Sequence, residues 1–152
     1  MKKVKGGGYE QVKYEVVHVR AGDQAAFKDS YDHAGLYYSE IGIASFILLQ
    51  ILDILKETDK QIIILSDSSG LKDFINKIAI GFNSDRIRIS EVTAKHAGAG
   101  GLYETFHDLN ILVNAEKIHQ FSVYDWGSGF STIANEIYDV PIITYPKVNP
   151  YF

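Results

Sequence analysis

Hydrophobic and polar residues follow two different periods along this chain, and each change of period marks a predicted element. Short apolar or β-branched runs, typical of strands buried on both faces, lie at 14–20, 61–66, 86–92, 117–124 and 140–146. Segments with apolar residues at helical spacing lie between them, at 35–57, 68–81, 102–116 and 130–138. Strands that alternate with helices in this way pair in parallel through crossover connections.

This order of elements predicts an α/β fold, an open, doubly wound, mostly parallel sheet of about five strands of the Rossmann-like kind. A length of 152 residues suits one domain, which we assign to residues 14–152. Residues 1–13 contain three consecutive glycines, so we expect a flexible leader there. The helix at 102–116 is expected to turn most of its apolar side chains inward: Leu102, Phe106, Leu109, Ile111, Leu112 and Ala115.

Composition argues against several classes of function. A net charge of −4 and a pI of about 5.7 argue against a broad nucleic-acid surface, which needs a basic domain. The chain has no cysteine, so disulfides and thiolate chemistry are absent. Its most apolar stretch, 41–55, is short for a bilayer and contains Gln50 and Asp53, so we expect a buried helix and no membrane segment. Since we also find no secretory signal, we expect a cytoplasmic protein.

Two side chains that can carry positive charge, His18 and Arg20, lie near the end of the first predicted strand, in VVHVRAGD (16–23). Residues two apart on a strand face the same side, and ligands of open α/β sheets bind outside the carboxyl ends of the strands. The guanidinium of Arg20 has its donors in a fixed fork that suits phosphate. The pattern alone leaves an alternative open, which is a surface ion pair between Arg20 and Asp23.

A second candidate is WGSGFST (126–132), where glycines and hydroxyls come just before a predicted helix. Glycines permit close approach of the backbone, and amides at the start of a helix face an anion, so the segment has the form of a turn that holds phosphate. The alternative is a serine that caps the helix beside glycines that make a tight turn.

Three further segments carry weaker signals. HAGAGG (96–101) indicates a mobile glycine loop that can close over a ligand. SDSSG (66–70) follows a strand, so Asp67 or Ser68 either caps the next helix or lies on the rim of the same pocket. Asp108 is either a solvated helix position or a carboxylate that accepts hydrogen bonds from a base or ribose. The five histidines are too scattered to predict a metal site.

The order of these segments resembles the donor-binding half of the GDP-fucose-dependent fucosyltransferases of the GT-B glycosyltransferase kind. That group includes the alpha-1,2, alpha-1,6 and protein O-fucosyltransferases, and the resemblance covers about residues 14–145. HVRAGD (18–23) resembles its H-x-R-R-x-D signature, and LSDSSGLKDFI (65–75) resembles its strand-S/T-D-D-helix element. DLNILVNAEKI (108–118), followed by SGFSTIANE (128–136), resembles its D-x-x-x-L…A-D-x-x-x…S-S-F/Q-x-x-x-A segment.

The resemblance implies metal-independent transfer of a sugar from a GDP-sugar, GDP-fucose before others, with no cofactor. Arg20 would bind the β-phosphate of GDP and act as the catalytic residue. His18 would lie beside the guanine or ribose, and Asp108 would accept hydrogen bonds from guanine. The diphosphate would be held by the turn that opens the last helix, through Ser128, Gly129 and the backbone near Ser131.

The chain departs from the pattern of that group at three places. Ala21 stands where the group has a second arginine, Ser68 stands where it has a second acid, and SVYDWG (122–127) lengthens the loop before the glycine turn. These differences leave another nucleotide-diphosphate sugar open as the donor. Enzymes of the group react in a cleft between two α/β halves, and we find one half here. We therefore expect a second domain or a homo-oligomer to complete the site for a glycan or protein acceptor.

Two other functions stay open at this point. One is a non-catalytic nucleotide-binding or assembly module of the same fold, in which Tyr124, Trp126 and Phe130 around the glycine turn contact a partner. The other is a hydrolase or phosphatase-like enzyme that uses Asp67 or Ser128 as its nucleophile, although no base is placed by the sequence for either residue.

Overall fold

Five strands and four helices alternate in the computed structural model, which describes residues 12–21, 33–81, 85–91, 101–124 and 126–148. The strands are β1 (Tyr14–Arg20), β2 (Gln61–Ser66), β3 (Ile87–Ile89), β4 (Lys117–Ser122) and β5 (Ile142–Thr144). The helices are α1 (His33–Glu57), α2 (Ser69–Gly81), α3 (Leu102–Val113) and α4 (Gly129–Tyr138). Most of the predicted leader, Asp23 and residues 96–100 of the glycine loop lie outside the described residues.

The strands form one parallel sheet in the order β3-β2-β1-β4-β5, which confirms the predicted doubly wound fold. The edge strands β3 and β5 have three residues each, shorter than the predicted ranges 86–92 and 140–146. Each edge strand has one neighbour and pairs with it over three positions. Pro141 and Pro146, which have no amide hydrogen to donate to a ladder, also lie on either side of β5.

Alternate side chains of the central strands build an apolar core on each face of the sheet. Val17 and Val19 of β1 point into a core with α1 and α2, whereas Val16 points into a core with α3 and α4. Because β1 has a strand on each side and helices on both faces, residues 15–19 are all buried. This double burial explains the nearly continuous β-branched run of its sequence.

The long helix α1 has 25 residues and packs on the first of these cores through Ile47, Ile51 and Ile54. It is the element predicted as a buried helix from the apolar stretch 41–55. Within the part of the chain that the structure describes, no helix has both the length and the apolar character needed to cross a bilayer.

The buried face of α3 differs from the prediction. Leu112 is buried as expected, but Leu102 and Phe106 are 76% and 61% exposed, so their predicted inward orientation is wrong. The buried stripe passes instead through Asp108 and Leu112. With 3.6 residues per turn, the direction midway between Leu102 and Phe106 lies about 120° around the helix axis from that stripe. The apolar residues of this segment therefore do not all share one face.

Candidate functional site

The strand order reverses direction at β1, which makes the crevice between β1 and β4 the topological switch point of the sheet. The chain moves from β1 to β2 and β3 on one side, then crosses to β4 and β5 on the other. At the carboxyl ends of the two central strands, Arg20 is paired with Ser122 in the ladder. Ligands of open α/β sheets bind in this crevice. The predicted residues His18, Arg20, Ser128, Gly129 and Ser131 all lie on the elements that border it, and we call them the switch-point site.

The structure brings the two halves of this site into direct contact. His18 Nδ1 and Ser131 Oγ are joined by a hydrogen bond of 2.6 Å across 113 positions of sequence. This bond fixes the first turn of α4 against the end of β1. Two segments that the sequence offered as separate candidates therefore belong to one site.

His18 is a neutral side chain in this setting. Burial, and then the nearby charge of Arg20, lower its pKa from 6.5 to about 4. At neutral pH the imidazole therefore serves as a hydrogen-bonding group without charge. The pair with Ser131 has the atoms of a nucleophile and its base, but Ser131 is 0% exposed, so we interpret the bond as one that orients the histidine.

Arg20 is half-buried and supplies the positive charge of the site. Its Nε is buried, and no acceptor lies within hydrogen-bond distance of it among the described residues. The guanidinium carbon lies 5.5 Å from the centre of the Tyr124 ring, within the range of a cation–π contact. Asp23, the proposed partner for a surface ion pair, lies outside the described residues. A buried donor without an acceptor is uncommon in folded proteins.

At the start of α4, Ser128 has the role of helix cap. Its Oγ accepts a hydrogen bond of 3.2 Å from the amide of Phe130, and its own amide donates to Gln120 Oε1 at 3.2 Å. Ser128 is also only 5% exposed, so it is a poor candidate for the nucleophile of a hydrolase. Gly129, the first residue of the helix, is exposed, and a Cβ there would meet open space. An anion would therefore approach the helix end at Gly129, with the dipole of α4 behind it.

The loop between β4 and α4 is held by two polar side chains of β4 that sequence reasoning missed. Ser122 Oγ donates to the carbonyl of Trp126 at 2.8 Å and accepts from the amide of Tyr124 at 3.0 Å. A Cβ on Gly127 would collide with the side-chain amide of Gln120. The available signal was the presence of Gln120 and Ser122 in a strand that is buried at five of its six positions.

Ser68 takes the capping role that the sequence left open for Asp67 or Ser68, and Asp67 joins the ends of two strands. Asp67 Oδ1 accepts a hydrogen bond of 2.9 Å from the amide of Ala21, which ties the end of β1 to the end of β2. Ser68 Oγ accepts from the amide of Leu71 at 3.2 Å and caps α2. Ala21 is 1% exposed and belongs to the core beside α1 and α2. Position 21, where the fucosyltransferase group has a second arginine, is thus an interior position in this chain.

Asp108 belongs to a different polar cluster, at the carboxyl end of β3. Its Oδ1 lies 3.4 Å from Ser90 Oγ and 3.3 Å from His107 Nδ1, and Lys72 Nζ donates to the carbonyl of Ser90 at 3.1 Å. Burial raises the pKa of Asp108 although His107 and Lys72 act to lower it. With 3% exposure, Asp108 is not a solvated position. Within the described residues, no hydrogen bond or ion pair joins Asp108 to the switch-point site, and its role toward guanine stays a prediction.

A second buried polar group lies on the face of the sheet opposite the side chain of His18. Glu15 Oε1 and His119 Nε2 are 2.8 Å apart, and His119 Nδ1 is 2.9 Å from the hydroxyl of Tyr145. Burial raises the pKa of Glu15, but hydrogen bonds with His119 and Thr58 outweigh this effect and leave it below its ordinary value. This network joins β1, β4 and the segment after β5, so it stabilises the pairing of the two central strands.

The described residues include no cluster of three or more histidines and acids that could hold a metal ion. The chain matches no protein-family model, no curated protein and no solved structure. The resemblance to fucosyltransferases therefore stays a prediction. What the structure adds is the position of the matching residues in the fold.

Proposed function

We propose that this chain binds a nucleotide-diphosphate sugar, GDP-fucose before others, as the donor domain of a metal-independent glycosyltransferase. The observation that supports this most is the state of Arg20 at the switch point. The buried Nε of Arg20 has no acceptor among the described residues. Arg20 also lies two residues after His18, which contacts the first turn of α4. A diphosphate is the ligand whose charge and size suit a guanidinium fork at the end of a strand together with the start of a helix that contacts the same strand.

The same arrangement can assist the departure of GDP from the sugar. The diphosphate gains negative charge as its bond to the sugar breaks. A fixed guanidinium and the positive end of a helix stabilise that charge without reorganising. His18, neutral because burial lowers its pKa to about 4, would contribute a hydrogen bond to the ribose or base. Arg20 is thus the proposed catalytic residue, and Gly129 marks the place where the diphosphate meets α4.

Calorimetry with GDP tests this proposal. We expect Arg20→Ala to weaken GDP binding by about 10- to 100-fold, the worth of a charge-assisted hydrogen bond. Arg20→Lys keeps the charge but loses the fork, so its affinity should fall between the two. Arg88→Ala is the matched control, because Arg88 is an exposed arginine on the edge strand β3. Absence of GDP binding to the unmutated chain at millimolar concentration would end the proposal, as would equal affinities for Arg20→Ala and Arg88→Ala.

A non-catalytic nucleotide-binding or assembly module of the same fold is the second candidate. Trp126, 60% exposed beside the site, favours it, since aromatic residues are enriched in protein contacts. Phe130, grouped with it from the sequence, packs instead against the core beside α3 and α4. Release of fucose from GDP-fucose separates the two candidates. Hydrolysis of the donor that disappears in Arg20→Ala would exclude an inert module.

A further inference from the structure

A small cavity lies beside the switch-point site, over the carboxyl ends of β4 and β5. It has a volume of about 160 Å³, and its walls include the side chains of Gln120, Ser122, Tyr124, Trp126 and Thr144, which we call the aromatic subsite. Pockets that enclose a drug-sized ligand measure about 300–1,000 Å³. This cavity is therefore of a size for one ring and too small for a whole nucleotide.

One wall of the aromatic subsite is a stacked pair of rings. Tyr124 and Trp126 have ring centres 4.9 Å apart and planes inclined by 16°. The Tyr124 ring also lies 5.5 Å from the guanidinium carbon of Arg20. The aromatic wall is thus continuous with the proposed phosphate-binding arginine. Since Trp126 is 60% exposed, most of its surface is available to a ligand.

Hydrogen bonds hold the backbone at both residues of the aromatic pair. Ser122 holds the backbone on both sides of the turn, through the amide of Tyr124 and the carbonyl of Trp126. Gln120 accepts a hydrogen bond from the amide of Ser128, and its side-chain amide lies so close to Gly127 that a Cβ there would have to displace it. Because the backbone is held in this way, less conformational entropy is lost when Trp126 binds a ligand.

We propose that the aromatic subsite holds the sugar ring of the donor, an inference that rests on the proposed function. The sugar is bonded to the β-phosphate, so it must lie next to the group that binds that phosphate. The C–H face of a sugar ring packs against an indole, while the hydroxyl of Thr144 and the amide of Gln120 can bind its hydroxyl groups. The base then extends away from β5, toward the β2 and β3 side of the sheet, where Asp108 contacts Ser90.

The single tryptophan of the chain makes this inference measurable. GDP and GDP-fucose are titrated into the unmutated chain by fluorescence, and into Trp126→Ala and Trp126→Phe by calorimetry. We expect GDP-fucose to change the emission more than GDP does. Trp126→Ala should bind GDP within about twofold of the unmutated chain and GDP-fucose about tenfold more weakly, with Trp126→Phe between them. Phe106→Ala, which removes an aromatic side chain of similar exposure on α3, should change neither affinity.

The other possible results of these titrations distinguish a wrong sugar assignment from a wrong proposed function. If Trp126→Ala weakens GDP and GDP-fucose equally, the indole contacts the nucleotide and the sugar assignment is wrong. If it weakens neither, the aromatic subsite holds no part of the donor. Both results overturn the inference and leave GDP binding at Arg20 standing. Failure of the unmutated chain to bind either compound removes the proposed function, and the inference with it.

Discussion

Burial of His18 makes the stability of the fold depend on pH above the range where most carboxylates titrate. Its pKa is lowered from 6.5 to about 4, first by burial and then by the charge of Arg20. The unfolded chain therefore binds more protons than the folded chain between these two values. The stabilising contribution is complete above the unfolded pKa and is lost as the pH falls toward the folded pKa. The free energy of unfolding therefore falls by about 2 kcal/mol between pH 8 and pH 5 because of His18 alone.

Urea unfolding of the unmutated chain and His18→Asn at four pH values from 5 to 8 measures this contribution. Asparagine cannot titrate. Between pH 8 and pH 5, the free energy of unfolding of His18→Asn should therefore fall by about 2 kcal/mol less than that of the unmutated chain, whatever the stability of the variant at pH 8. Ser131→Ala is the control, because it removes the hydrogen-bond partner but keeps the burial and the Arg20 charge. It should retain the unmutated slope. Equal slopes for the unmutated chain and His18→Asn would show that His18 is hydrated and would refute the geometry of the site.

Three further predictions concern the supports of the site. Ser128→Ala should lower the free energy of unfolding by about 1 kcal/mol through loss of the α4 cap, and unchanged stability in urea would contradict that role. Gly127→Ala should displace Gln120, lowering the melting temperature and shifting the emission of the single tryptophan; native values for both would show that the loop has more room. Glu15→Gln should destabilise the fold by about 1–3 kcal/mol at neutral pH, because it removes a buried charged partner of His119. Since the pKa of Glu15 is lowered, that difference should shrink as acid protonates the carboxylate, and a constant difference would contradict the pairing.

The alternation of strands and helices was sufficient to predict the layers of the fold, because burial on both faces leaves a continuous apolar run. The site needed more than this pattern. His18 and Ser131 were each recognisable as ends of elements, but their contact depends on β4 lying beside β1. The spatial order of strands is a tertiary property that local periodicity does not encode.

Asp108 shows that the buried face of a helix can differ from the face that its apolar residues indicate. The apolar neighbours Leu102 and Phe106 indicated an inward face, yet Asp108 takes the buried position. Ser90 and Lys72, brought there by β3 and α2, supply the partners that permit its burial. Those partners are distant in sequence, so helix periodicity alone could not have located the stripe.

The central claim is that Arg20 and the first turn of α4 together bind one diphosphate at the switch point. A crystal structure of the chain soaked with GDP tests it most directly. We expect diphosphate density between the carboxyl ends of β1 and β4, with oxygens in contact with the guanidinium of Arg20 and the helix start at Gly129. Density at any other place on the sheet, or a crevice closed by the protein's own side chains, would contradict it.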